Sequence, residues 1–585
     1  MHSRRLPLTL VAAACVLAVL HACQDTPEPT EPDLAVTVVK KTLTVKGNGG
    51  SGSGVVTSTP AGIHCTITVG VAATTGCKAQ FNKGVVVTLT QVPQAGHTFK
   101  TWSNACSGTG TCKVSMTVNR TVAARFLTGG PSPLATKGRW ESPVTSPVVG
   151  IHVSLLPTGR VLLWGREGEA QLWNPANPGA GFVQVTAPYE LFCSGHTFLS
   201  DGRLMVTGGH SVGTSGIPRT VVYDPATSSW TITGSMAQGR YYPTTTVLPN
   251  GEVLAMAGAD EAKAPVAIPE IGNGSTWRRL TTASLAIPSP YYPAMFLAPN
   301  GKVFLAGFPQ TSRYLDVGGT GAWTTVADRQ VADRTMGSAV MYSPGKILYV
   351  GGGDPPTSSA EVIDLNEPSP SWRTVPGMAF ARRQLNATIL ADGRVLVTHG
   401  TSGAGFNNVT SSIRAAELWN PATESWSTVA SEATARTYHS AALLLPDARV
   451  LTSGSGEGGD VLYENSNFTA QVFTPPYLFN PDGTLAPRPT ITSAVSTISY
   501  TQPFTVETPE AGSVSRGTLI RLSSVTHAFN QSQLIYPLTF AATGPTTLTS
   551  VGPASANLAP PGPYMLFLIN GSGVPSVAKM VTVGP

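Results

Sequence analysis

Residues 157–165 read PTGRVLLWG, a tight turn around Gly159 followed by an apolar strand that closes on Gly165. The phrase returns six more times: SDGRLMVTGG (200–209), PNGEVLAMAG (249–258), PNGKVFLAG (299–307), SPGKILYVGG (343–352), ADGRVLVTHG (391–400) and PDARVLTSG (446–454). The glycines that follow the strands fall at 165, 208, 258, 307, 351, 400 and 454, in steps of 43 to 54 residues. Closing phrases recur as well, Leu172-Trp173-Asn174-Pro175, Val222-Tyr223-Asp224-Pro225 and Leu418-Trp419-Asn420-Pro421. A strand–turn–strand unit repeating near every fifty residues is the signature of a β-propeller blade. Seven such units over residues 141–483 predict seven blades.

The period is of the kelch type. It is lost after Pro481-Asp482-Gly483, and residues 484–585 hold short strands spaced by turns, which predicts an immunoglobulin-like sandwich. Ahead of the propeller, residues 35–128 alternate strands with Gly/Ser turns, and residues 129–140 look like a linker. The first of these segments resembles the InlB-type B-repeat modules of bacterial surface proteins. That implies either a small stapled spacer or a contact with carbohydrate or cell envelope. The whole chain is expected to be all-β.

Composition agrees with this reading. Charged residues are only 12% of the 585, while Gly (61) and Pro (48) are abundant, as in a turn-rich exported protein. The formal charge of +5 is small for this length and unclustered, which argues against nucleic acid as a partner. The start, MHSRRLPLTLVAAACVLAVLHACQD, has an arginine pair, an apolar run too short to span a membrane, and a small residue before Cys23. Leu20-His21-Ala22-Cys23 resembles a bacterial lipobox, although His21 departs from it. The resemblance implies residues 1–23 as a signal, Cys23 as the acylated residue, and export to the outer membrane or cell surface; plain secretion is the alternative. Residues 24–34 are acidic and Pro-rich, as in an extended tether.

The cysteines then sort themselves. Cys15 leaves with the signal. Cys65 and Cys77, then Cys106 and Cys112, form two close pairs expected to be disulfides in an oxidising compartment. Only Cys193 is left over.

A propeller brings equivalent positions of its blades around one axis. Counting nine residues back from each turn Gly, or from its stand-in Ala448, reaches Gly150, Cys193, Tyr242, Tyr292, Met336, Gln384 and His439. One thiol, two phenols and one imidazole therefore share a ring at the channel mouth, with Tyr438 beside His439. Imidazole together with phenolate suits copper or iron(III) better than magnesium or calcium. Neighbours on a regular strand point to opposite faces, so Tyr438 and His439 reach one metal only if the strand starts irregularly. The ring holds no Asp or Glu, which argues against a carboxylate-based lyase or hydrolase.

At this point the chain resembles the galactose oxidase and glyoxal oxidase family of copper-radical oxidases, over residues 141–585. Phe192-Cys193-Ser194-Gly195 is similar to the segment bearing that family's cross-linking cysteine, and Arg240-Tyr241-Tyr242-Pro243 to that of its radical tyrosine. Arg436-Thr437-Tyr438-His439-Ser440 is similar to the segment of the axial tyrosine and first histidine ligand. Val525-Thr526-His527-Ala528-Phe529-Asn530 matches the loop of the second histidine, and the tail from Tyr564 to Ser576 matches as well. The resemblance implies one copper held by Tyr242, Tyr438, His439 and His527. It further implies a Cys193–Tyr242 thioether as the second redox centre, with Tyr438 accepting the substrate proton. Primary alcohols or aldehyde hydrates would be oxidised by dioxygen, yielding hydrogen peroxide.

Two departures from the family bear on substrate. No Trp stands in residues 257–265, where galactose oxidase supplies the ring that stacks on its radical tyrosine, and residues 289–293 lack that enzyme's sugar-binding Arg. Both place the chain nearer glyoxal oxidase. Tyr292 and Gln384 are expected to line the channel, and Arg382 and Arg383 are the cations nearest its mouth, where they could hold substrate. A different class remains open at this stage: a lipid-anchored, non-enzymatic kelch scaffold with a vestigial site, in which Cys193 is an inert buried thiol. In either case the chain is expected to act as a monomer.

Overall fold

A computed structural model of the chain describes residues 38–94, 97–128, 132–166, 169–211, 213–287, 292–332, 334–406, 408–456 and 466–585. The signal, Cys23 and the tether at 24–34 lie outside these residues. The chain divides into two compact units, residues 1–128 and 129–585. Among the described residues no helix is long and apolar enough to cross a membrane.

In the first unit two sheets, one of four and one of five strands, enclose a core of Leu43, Val45, Val56, Ile67, Val87, Trp102 and Phe126. Gly54–Thr59, His64–Thr68 and Cys112–Ser115 turn every second side chain into the space between the sheets. Cys65 is bonded to Cys77 and Cys106 to Cys112. Closing the 12-residue loop between Cys65 and Cys77 stabilises so small a core by about 3 kcal/mol through lost chain entropy.

The second unit carries seven antiparallel sheets in succession, one for each sequence repeat. In blade 1 the strands run His152–Leu155, Val161–Trp164, Ala170–Trp173 and Phe182–Val185; blades 2 to 6 repeat this order from Ser194, Thr244, Met295, Ser338 and Asn386. The second strand of each blade is covered on both faces by its neighbours, which is why the repeated phrases read as unbroken apolar runs. Leu162, Met205, Leu254, Phe304, Leu348 and Leu396 in these strands are completely buried.

Blade 7 takes Ser440–Leu444, Val450–Gly454 and Thr469–Thr474 from the end of the propeller and its outer strand from the beginning. Residues 139–140, placed in the linker by the sequence, pair with Phe473 and Thr474 instead. The reason is Trp140, whose ring packs 4.9 Å from that of Phe473 and whose indole N–H donates to the Ala430 carbonyl.

Beyond the blades, nine strands form two sheets of four and five, the sandwich expected at the C-terminus. One hairpin of this region enters the propeller. Its strands, Ser524–Thr526 and Phe529–Asn530, touch the inner strands of blades 1, 2, 5, 6 and 7, and Ser524–Thr526 extends the sheet of blade 1 by pairing with His152–Ser154.

Candidate metal centre

Six of the seven positions found by counting back from the turns share a conformation. Cys193, Tyr242, Tyr292, Met336, Gln384 and His439 all have φ between 43° and 69°. The left-handed region costs a residue with a Cβ roughly 1–2 kcal/mol, so a ring of six such residues persists only because the blades enforce it. Backbone bonds between blades supply part of that constraint. The Tyr242 N–H donates to the Cys193 carbonyl (2.9 Å), and the Gln384 N–H to that of Met336 (2.7 Å). The conformation also breaks the alternation of the strand. Tyr438 and His439, adjacent in sequence, turn to the same side with ring centroids 3.9 Å apart and planes 29° from parallel.

The inserted hairpin adds the next group. Its strands are joined by His527 and Ala528 alone, both with positive φ, as a two-residue hairpin turn of the I′ kind requires. Asn-Gly is the ordinary occupant. A histidine and an alanine there accept strain in order to carry an imidazole to the tip.

These elements bring Cys193, Tyr242, Tyr438, His439 and His527 together. The phenolic oxygens of Tyr242 and Tyr438 are 2.7 Å apart. Ligand atoms of Cys193, His439 and His527 lie within 4.8 Å of one another, with the thiol 3.7 Å from His527 Nε2. The ring of His527 meets those of Tyr242, Tyr438 and His439 edge to face at 5.0, 5.3 and 4.4 Å. Each imidazole is oriented through its other nitrogen: His439 Nδ1 donates to the Gly456 carbonyl (2.6 Å), and His527 Nδ1 bonds Thr526 Oγ1 (2.6 Å). With the proton on Nδ1, the Nε2 lone pair is available to a metal.

The electrostatics fit a metal too. Burial, then the nearby Cys193 and Tyr438, push the Tyr242 phenol well above its ordinary range. Burial, then His439, holds His527 well below the usual imidazole value. Burial thus favours the unprotonated His527 imidazole and leaves charge on the Tyr242 phenol unfavourable until a cation arrives to offset it. Two imidazoles and two phenols are a donor set for copper.

Cys193 is fully buried, and burial raises its thiol pKa, while hydrogen-bond contacts with Tyr242 and Tyr241 act the other way. Its backbone is held by a chain of groups for which the sequence offered no signal. The Cys193 N–H donates to His152 Nε2 (3.0 Å); His152 Nδ1 bonds His196 Nε2 (3.2 Å); His196 Nδ1 reaches Ser154 Oγ (3.1 Å) and Ser524 Oγ. Because Nε2 of His152 must accept, the proton sits on Nδ1, and the same logic passes along to His196. Trp164 stacks flat on His152, planes 2° apart. Among the described residues no Trp lies against Tyr242; Tyr241, Tyr292 and His527 pack on it instead, with ring centroids 4.2, 5.3 and 5.0 Å away.

A cavity of about 30 Å³ opens beside His439 and His527, lined by Tyr292, Phe308, Met336, Gln384 and Phe529 among others. Tyr292 and Gln384, the two ring residues expected to line the channel, are thus part of the cavity wall. Met336, to which no role was assigned, joins them.

Arg382 and Arg383 do not line it. Arg382 is completely buried, bound to Glu417 and to the carbonyls of His399 and Ala415. It is one of a repeated set, each arginine two or three residues before a ring position and paired with a buried glutamate: Arg240 with Glu270, Arg334 with Glu361, Arg436 with Glu432. These pairs lock third strands or the next inner strand in place. Arg383 faces Asp354 (2.7 Å) and the Gly405 carbonyl.

Fold and site together describe a metal-dependent oxidase built on a propeller. Residues 488–583 match the galactose oxidase-like early set domain, residues 350–477 the glyoxal oxidase N-terminus, and residues 55–130 the divergent InlB B-repeat domain. A galactose oxidase of Gibberella zeae is 30% identical over 498 residues, covering 77% of this chain and 71% of that protein. An aldehyde oxidase of Vitis pseudoreticulata is 28% identical, covering 68% of this chain and 82% of its own. A fungal alcohol oxidase solved in complex with copper superposes with a TM-score of 0.70 at 29% identity, over 77% of this chain and all of that one. The chain belongs to the galactose oxidase family, and it is an oxidase.

Proposed function

We propose that the protein is a copper-dependent oxidase that converts primary alcohols to aldehydes, or aldehyde hydrates to acids, reducing dioxygen to hydrogen peroxide. The observation that carries this is the meeting of two phenols, two imidazoles and one thiol, drawn from blades 2, 3 and 7 and the inserted hairpin, within one buried cluster. Tyr242, Tyr438, His439 and His527 would hold the ion. Copper supplies a one-electron acceptor and a position that acidifies a hydroxyl. Tyr438 takes the proton of the substrate hydroxyl. A Cys193–Tyr242 thioether, formed as the thiol and ring hydrogens pass with two electrons to dioxygen, makes the Tyr242 ring the second one-electron centre.

The cavity favours small, uncharged substrates. Among the described residues that line it there is no Asp, Glu, Lys or Arg. Gln384 keeps its amide oxygen without a hydrogen-bond partner there, a fitting acceptor for a substrate hydroxyl. Peroxide formed from methylglyoxal, glycolaldehyde or benzyl alcohol by the copper-loaded chain, and not by the metal-free chain, is the expected result. Copper-loaded protein that leaves all three unchanged contradicts the proposal.

We further propose export as a lipoprotein through Cys23, with residues 35–128 as the part that meets the envelope. Lipid label incorporated by the native chain and lost in Cys23→Ser is the corresponding result. A native chain that takes up no label contradicts it.

A further inference from the structure

Arg240, Arg334, Arg382 and Arg436 are each matched by a buried glutamate. Arg521, at the end of the strand Val514–Arg521, is not. It is 1% exposed, and no carboxylate bonds it or stands among the groups that shift it. Its Nη2 donates to the carbonyls of Phe198 (2.8 Å) and Pro561 (3.3 Å), while Nε and Nη1 have no partner. Arg329 also lacks an acid, but both its terminal nitrogens rest on carbonyls and its guanidinium lies 4.2 Å from the Tyr349 ring, closer than the 5.9 Å between Arg521 and the ring of Tyr564.

Arg521 lines a cavity of about 40 Å³ together with Thr197, Thr246, Gln531, Ser532 and Asn557. Two of these have unpartnered donors of their own. Gln531 is 7% exposed, and its amide oxygen accepts from the Thr245 N–H (2.9 Å) and hydroxyl (2.6 Å). That fixes which end of the amide is NH₂, and this Nε2 has no partner; nor has Thr246 Oγ1. Unmatched hydrogen-bond donors and a buried cation therefore border one small space. A buried charge left uncompensated is expensive, and water satisfies donors without neutralising it. A volume of about 40 Å³ is ample for a monatomic anion.

We propose that this cavity is a halide site, occupied by chloride, in which the anion takes the place that glutamate fills beside the other arginines. It lies between the blade segment that follows Tyr242 and the segment that follows His527. An anion there ties together the two stretches of chain that carry these site residues.

The test uses the full chain at fixed ionic strength, comparing sodium chloride or bromide with sodium gluconate. The unfolding midpoint is expected to rise with halide, by roughly 2 °C or more over a hundredfold range, because a ligand bound only to the folded state stabilises it. Crystals soaked in bromide are expected to give an anomalous peak beside Arg521 and Gln531. Ser532→Asp, which places a carboxylate in the same cavity, is expected to raise the midpoint in gluconate and abolish the halide response. Equal midpoints in halide and gluconate, or a bromide-soaked cavity without a peak, overturns the proposal whether or not that variant folds. So does a folded Ser532→Asp that keeps the full response.

Discussion

The phenolic oxygens of Tyr242 and Tyr438 are 2.7 Å apart although 196 residues separate them in sequence. Each is delivered by the start of an inner strand, one in blade 3 and one in blade 7. In the proposed mechanism the two have distinct tasks at one ion, Tyr242 joined to sulfur and Tyr438 moving a proton. Tyr438→Phe keeps the ring that stacks on His439 and removes only the hydroxyl. Turnover, followed by oxygen uptake, is expected to fall by about 10²–10⁴ while copper content holds near the native level. Native turnover in that variant contradicts the proton-accepting role.

Arg382 separates a structural role from a substrate-binding one. Arg382→Met leaves Glu417 charged and buried without its partner, which is expected to cost about 3–5 kcal/mol in denaturant unfolding. The KM of the folded fraction is expected to stay native. A raised KM with native stability reverses the assignment.

His152 is expected to act through the backbone of Cys193. His152→Ala removes the acceptor of a fully buried N–H and costs about 1–3 kcal/mol. It also frees a left-handed cysteine to relax, so cross-linking after copper addition is expected to slow. His152→Asn keeps an acceptor and recovers part of both effects; equal behaviour of the two variants contradicts the hydrogen-bonding role.

Acid stability is expected to follow the buried histidines. Burial holds His196 down to about 3, against 6.5 for the free side chain. The folded value lies below the unfolded one, so this stability is complete above pH 6.5 and is lost as pH falls toward 3. The unfolding free energy is expected to decline in that window by up to about 1.4 kcal/mol per pH unit for this site. His196→Asn is expected to flatten the slope, and an unchanged slope contradicts the assignment.

Much of this was legible in the sequence because the repeat has one fixed landmark per blade. Counting from the turn glycine reached Cys193, Tyr242, Tyr292, Gln384 and His439 without any knowledge of their left-handed backbone. The conformation itself was hidden, since a residue with a Cβ carries no mark of positive φ. The arginines before the ring did form a pattern, Arg240, Arg334, Arg382 and Arg436, but their glutamates for the first three stand 27 to 35 residues onward, in another strand of the blade. Read without those partners, Arg382 looked like a free cation at the mouth. The chain of His152, His196 and Ser524 depends on a strand pairing across some 370 residues, which no local pattern encodes. Trp140 failed for a similar reason, its partner Phe473 lying at the far end of the propeller.

The most direct test of the account is the mass of the peptides carrying Cys193 and Tyr242 in protein matured with copper and dioxygen, then denatured and digested. A single joined species, lighter than the two peptides by two hydrogens, formed only with copper and absent in Cys193→Ser, is expected. Separate, unmodified peptides from fully copper-loaded and active enzyme contradict it, because turnover would then proceed without the thioether on which the two-centre mechanism rests.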